Sequence, residues 1–157
     1  MKRHYYFIAL LLSISFSCIK TKQLVIPEAS FVIITEGNII AEQSLIEYIN
    51  NHNKVLIIFS DSGCYSCELE LKEWIKFLYC NPEIKAILVD NTLYPSVYLK
   101  HKVRDTLSIP TVLYKNYDLI IDNDLPTDIK YLIVEKELRI LKIGKELNAK
   151  EIKKQFS

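Results

Sequence analysis

Residues 55–78 read VLIIFSDSGCYSCELELKEWIKFL. The unbroken apolar run from Val55 to Phe59 is expected to be a buried strand. Ser60, Asp61, Ser62 and Gly63 follow as loop residues, and Leu71, Trp74, Ile75 and Leu78 then recur at the i, i+3, i+4, i+7 spacing of one helix face. Cys64 and Cys67 therefore fall where a strand hands over to a helix. The first turn of a helix carries unpaired backbone N–H groups and the positive end of the helix dipole. A thiol held there ionises more easily, and the thiolate is the form that attacks a disulfide. Cys67 lies one turn beyond Cys64, close enough to close a small ring with it, so the arrangement is that of a redox-active dithiol.

Composition bounds what else the chain can be. Of 157 residues, about 140 remain once a targeting segment is set aside, which is the size of one domain. Half the residues are hydrophobic, enough for a sizeable core. Lys and Arg number 20 against 19 Asp and Glu, which argues against nucleic acid as a partner, since that would call for a basic stripe. Three glycines cannot build a glycine-rich phosphate loop. The thiol and imidazole inventory is Cys18, Cys64, Cys67 and Cys80 with His4, His52 and His101.

The N-terminus reads as an export signal. Lys2, Arg3 and His4 form a positive head, and residues 5–16 are apolar apart from serines. That run of about a dozen residues is shorter than the roughly 20 needed to span a bilayer, and it fits a secretory signal. Ser17-Cys18 resembles the lipobox of bacterial lipoproteins, with Ser15 and Phe16 in place of the usual residues. The resemblance implies a signal peptide over residues 1–17, lipidation at Cys18, and a tether or linker over residues 18–29. Acyl chains at Cys18 would hold the chain on a membrane face.

The remaining chain, residues 30–157, alternates strand and helix signals. Strands are expected at 31–34, 55–59, 86–90 and 110–114. Helices are expected at 41–49, from the dithiol to about Tyr79 with Asn81-Pro82 as the stop, and at 96–103. Residues 119–125 fit either type; 130–134 and 138–143 read as a hairpin, and 149–156 as a closing helix. This order predicts an α/β three-layer sandwich around a central mixed β-sheet.

IIFSDSGCYSCELELKEW within this strand order resembles the thioredoxin superfamily, in particular its exported TlpA-like and AhpC/TSA-type members. The resemblance implies a thioredoxin-like domain over 30–157 and a thiol–disulfide oxidoreductase that needs no cofactor and no metal. Cys64 would be the attacking cysteine and Cys67 the resolving one, joined as a Cys64–Cys67 disulfide when oxidised. It further implies protein disulfide or dithiol substrates, a membrane or periplasmic electron donor or acceptor, and a membrane-anchored lipoprotein facing the periplasm. The family places a cis-proline opposite the dithiol. Pro126 in Leu125-Pro126-Thr127 and Pro110 in Ile109-Pro110-Thr111 are the two candidates, and the stretch 91–128 accommodates the extra segment of the exported members. Gly63 stands where the family often has Trp, and Ile58 where thioredoxin has a buried acid.

Other readings stand beside this one. The pair could be a structural disulfide, or could bind copper with His101 as a third ligand, in a thioredoxin-fold binding module that delivers metal or docks a partner. No Thr stands three residues before Cys64, where Asp61 lies, which departs from the peroxiredoxin pocket. Asp61 and Glu68 are expected to be solvated or capping acids, Trp74 to be core, and Cys80 to be a buried filler some 20 Å along the helix from the dithiol. The Lys and Glu residues of 135–154 are expected on solvated faces.

Overall fold

The computed structural model describes residues 22–26, 33–35, 38–41, 45–60, 65–91, 109–114 and 118–157. Its elements in chain order are β1 (Ile33–Thr35), β2 (Asn38–Ala41), α1 (Leu45–Asn50), β3 (Lys54–Ser60), α2 (Tyr65–Tyr79), β4 (Ala86–Asn91), β5 (Thr111–Tyr114), α3 (Asp118–Asp122), β6 (Tyr131–Glu135), β7 (Arg139–Gly144) and α4 (Ala149–Phe156). Cys18, Cys64, His101, the signal segment and the expected helix at 96–103 lie outside the described residues.

β3 is the middle strand of a five-stranded sheet ordered β5-β4-β3-β6-β7. It runs parallel to β4 and antiparallel to β6, so the sheet is mixed, as expected. Val55, Leu56, Ile57 and Ile58 have no exposed surface. Their apolar run is continuous rather than alternating because both faces of the sheet are covered. Val55 and Ile57 join Leu45, Ile49, Leu119 and Ile120 of α1 and α3 on one face. Leu56 and Ile58 join Leu71, Trp74 and Phe77 of α2 and Ile152 of α4 on the other. The architecture is the expected α–β–α sandwich. Each fully buried aliphatic side chain contributes about 1.5–3 kcal/mol, so β3 and its two coverings form the centre of stability.

Several boundaries differ from expectation. β1 and β2 form a separate antiparallel hairpin, and α1 starts at Leu45 rather than Ala41. Leu45 and Ile49 are buried but Ile46 is exposed, so the apolar stripe of this short helix is narrower than its composition implied. Residues 118–122, left open between strand and helix, form the short helix α3. Residues 22–26, within the expected tether, are docked on the domain. Leu24 is 2% exposed, its N–H donates to the Leu138 carbonyl at 2.7 Å, and Gln23 bridges Arg139 at the free edge of β7.

The β6–β7 turn holds Glu137 and Leu138 in left-handed backbone conformations. That geometry is unfavourable for residues with a Cβ. Surrounding bonds hold it: Leu138 accepts from Leu24, and the Glu137 N–H reaches Asn50 Oδ1 at 3.4 Å. Cys80, expected inside, is exposed. It follows α2 on the solvent side, while the next residue, Asn81, turns in and donates Nδ2–H to the Phe77 carbonyl at 2.6 Å. Among the described residues no helix is long and apolar enough to cross a membrane.

Candidate functional site

The C-terminal end of β3 delivers the chain towards α2, which opens at Tyr65, the residue after Cys64. Cys67 is thus in the first turn of α2, half-buried. This is the strand-to-helix placement expected of it, at the positive end of the helix dipole.

Cys67 lines a cavity of about 290 Å³. Ile58, Phe59 and Ser60 of β3 form its floor, Leu71 and Trp74 of α2 one wall, and residues 127–130 the opposite wall, with Ile120 at the side. Cys67, Glu70, Leu71 and Trp74 face it together because they are spaced by three and four residues on one helix face. Residues 127–130 reach it because β6 pairs antiparallel with β3, with Ile58 opposite Tyr131 and the Phe59 N–H donating to the Lys130 carbonyl at 2.9 Å.

The cavity is apolar with a charged rim. Lys130 Nζ meets Glu70 Oε2 at 2.6 Å across it. Asp128 Oδ2 accepts from Lys145 Nζ at 2.7 Å, and that hydrogen bond holds the Asp128 carboxyl below the usual carboxylate range. Trp74 is 1% exposed, makes an edge-on contact with Tyr131, and its buried Nε1–H finds no acceptor among the described residues. Cys67, Lys130 and Trp74 therefore border one small hollow.

The two proline candidates are placed differently. Pro110 enters β5, which runs parallel to β4 at the sheet edge, and its carbonyl accepts from the Leu88 N–H at 2.8 Å. It does not border the cavity of Cys67. Pro126 opens the tight turn that leads to β6, accepting from the Ile129 N–H at 3.1 Å, and the four residues after it line the cavity. Among the described residues no peptide bond is cis, so the expected cis geometry is absent at both prolines. Pro110 is committed to a regular parallel ladder and Pro126 to a one-turn bend, and neither is the residue that directly precedes the strand paired with β3.

Sequence reasoning passed over Glu70, Lys130 and Asp90. Glu70 carried a usable signal, being three residues after Cys67 on the helix. Lys130 carried none, because only the β3–β6 register brings it to the site. Asp90 is fully buried at the end of β4, beside Ser60 in register. By alternation with Ala86 and Leu88 it lies on the α2 face of the sheet, one strand away from the position where a buried acid was sought.

No family model matches the chain, and no curated protein matches it. Solved structures do. The thioredoxin domain of a thiol-disulfide oxidoreductase from Bacteroides vulgatus is similar at a TM-score of 0.63 and 16% identity, over 86% of this chain and 98% of that one. A thiol:disulfide interchange protein from a Bacteroides species is similar at a TM-score of 0.61 and 18% identity, over 85% of this chain and 88% of that one. An exposed lipoprotein thioredoxin from Streptococcus pneumoniae is similar at a TM-score of 0.58 and 13% identity, over 82% of this chain and 98% of that one. At these identities the similarity establishes the fold, which is thioredoxin-like.

Proposed function

We propose that this thioredoxin-like chain is a thiol–disulfide oxidoreductase that works through Cys64 and Cys67 on exported protein substrates. The observation that carries the reading is the position of Cys67, in the first turn of α2 and on the wall of a cavity at the end of the central strand. The descriptions of the structural neighbours as a thiol-disulfide oxidoreductase, an interchange protein and an exposed lipoprotein thioredoxin support it.

In the reducing direction the Cys64 thiolate attacks one sulfur of a substrate disulfide. A Cys64–substrate bond forms, the substrate S–S bond breaks, and the departing thiolate takes up a proton. Cys67 loses its proton and attacks the Cys64 sulfur, which releases the second substrate thiolate. The substrate gains two electrons and two protons, and a Cys64–Cys67 disulfide remains. An external dithiol, membrane-bound or periplasmic, restores the reduced pair; run backwards, the same steps oxidise a substrate dithiol. The cavity beside Cys67 would seat the substrate segment that flanks its cysteine. Pro126, at the start of the cavity's loop, is the better placed of the two prolines to border that segment, and Pro110 does not line the cavity. Export by residues 1–17 and a lipid on Cys18 would place this chemistry outside the cytoplasm, in an oxidising compartment.

The test is equilibration of the full chain in glutathione buffers, with mass-tagging of free thiols. A reversible two-electron transition between about −120 and −280 mV is expected. A pair that resists reduction below about −300 mV would be a structural bridge and would end the enzymatic reading. Replacing Cys67 with Ser should in addition trap a mixed disulfide on Cys64.

A further inference from the structure

The Glu70–Lys130 ion pair joins residues 60 positions apart across the cavity that Cys67 lines. Glu70 is three residues after Cys67 on the same face of α2, so the two side chains are neighbours, with Cβ atoms about 5–6 Å apart. Lys130 is held in place by its backbone. Its carbonyl accepts from Phe59 N–H at 2.9 Å and its N–H donates to the Gly144 carbonyl at 2.8 Å. Both side chains are about one-third exposed, at 33% and 30%. An ion pair so exposed adds little to folding stability. Its stronger consequence is electrostatic, on the sulfur that shares its cavity.

We propose that Glu70 and Lys130 are positioning residues that set the reduction potential of the dithiol, Lys130 favouring the thiolate and Glu70 opposing it. The proposal rests on the dithiol reading above. A nearby cation stabilises a thiolate and a nearby carboxylate destabilises it. In contact at 2.6 Å, the two charges largely cancel at the sulfur, and removing either one unbalances the field. Stabilising the thiolate stabilises the reduced form and makes the pair a stronger oxidant. Among the described residues, the other charges at this face are Asp128 on the cavity rim, tied to Lys145, and Asp90 buried on β4. They are common to all variants and leave the sign of the difference unchanged.

The experiment measures the equilibrium of the full chain with glutathione, together with the pH profile of thiol alkylation. Glu70→Gln, which keeps the shape and removes the counter-charge, is expected to shift the equilibrium towards the reduced form by three- to tenfold and to move the alkylation profile to lower pH. Lys130→Met is expected to shift both the other way by a similar factor. A tenfold change corresponds to about 30 mV. Lys130→Arg keeps the charge and should return the potential to that of the parent protein, which guards against a Lys130→Met variant that folds poorly. Lys142→Gln, which breaks the Lys142–Glu151 pair away from the cavity, serves as the control. Shifts of the same sign in Glu70→Gln and Lys130→Met, or no shift in either, would overturn the proposal. A parent protein whose pair shows no reversible transition would instead overturn the oxidoreductase reading on which it rests.

Discussion

Asn123 grips the backbone of Val25 with both ends of its amide: Oδ1 accepts from the Val25 N–H and Nδ2 donates to the Val25 carbonyl, each at 2.6 Å. The same Nδ2 also reaches the Leu119 carbonyl at 2.9 Å, so a buried side chain after α3 ties the incoming N-terminal segment to the domain. Asn123→Ala removes these bonds and loosens the seat of Leu24. The expected loss is about 1–3 kcal/mol, from hydrogen bonds worth about 1 kcal/mol each and a side chain less firmly buried. Chemical denaturation gives the loss, and hydrogen exchange at Leu24 and Ile140 should quicken well before the centre of the sheet opens.

Gly144 sits directly opposite Tyr131 in the β6–β7 ladder. A Cβ there would overlap Cε1 and Cζ of the Tyr131 ring and lie 2.6 Å from its hydroxyl oxygen. The ring has little room to retreat, because it is 1% exposed and Trp74 packs edge-on against it with centroids 5.7 Å apart. Gly144→Ala is therefore expected to cost about 1–3 kcal/mol through overpacking. In the Gly144→Ala, Tyr131→Leu double variant the clash is gone, so the two costs should sum to more than the double variant shows in a thermal or urea series.

Trp74 is the single tryptophan of the chain, and it shares the cavity wall with Cys67. A disulfide quenches a neighbouring excited indole more strongly than a pair of thiols does. On the proposed dithiol reading, reduction of the Cys64–Cys67 pair should raise the emission of Trp74, and Cys67→Ser should abolish the change. Emission that is indifferent to the redox buffer while mass-tagging reports the thiol–disulfide transition would place the sulfurs out of contact with the indole.

Lys145 lowers the pKa of Asp128 in the folded chain, chiefly through their hydrogen bond. A carboxyl with a depressed folded value contributes stability above its unfolded value, about 4, and loses it as the pH falls through the folded value. Stability should therefore decline in acid below about pH 4, and Asp128→Asn should flatten that part of the profile. Because the pair is exposed, the effect should shrink as salt is raised, which urea titrations at two ionic strengths would reveal.

Much of the scaffold was readable before any coordinates. The apolar run at Val55 to Phe59 became β3, and the periodic stretch with its Asn81-Pro82 stop became α2 ending at Tyr79. The hairpin at 130–143 and the closing helix at 149–156 also appear where their local signals put them, the helix capped by Asn148 accepting from the Glu151 N–H. These are the elements whose residues carry their own periodicity. The strand Asn38–Ala41 was missed because its pairing with Ile33–Thr35 is not written in its apolar spacing, which blended into that of the following helix.

What the sequence by itself determined is the chemistry on offer: two cysteines at a strand-to-helix junction, in a chain with a core large enough for three layers. Backbone periodicity and side-chain type suffice for that, since both act over a few neighbouring residues. What only the tertiary structure decided is which groups surround the sulfur. The antiparallel register of β3 with β6 brings Lys130 alongside Phe59 and onto Glu70, and it turns the residues after Pro126 towards Cys67 while Pro110 goes to the far edge. Register follows from burying both faces of the sheet at once, a condition on residues 60 or more apart that no local stretch can express.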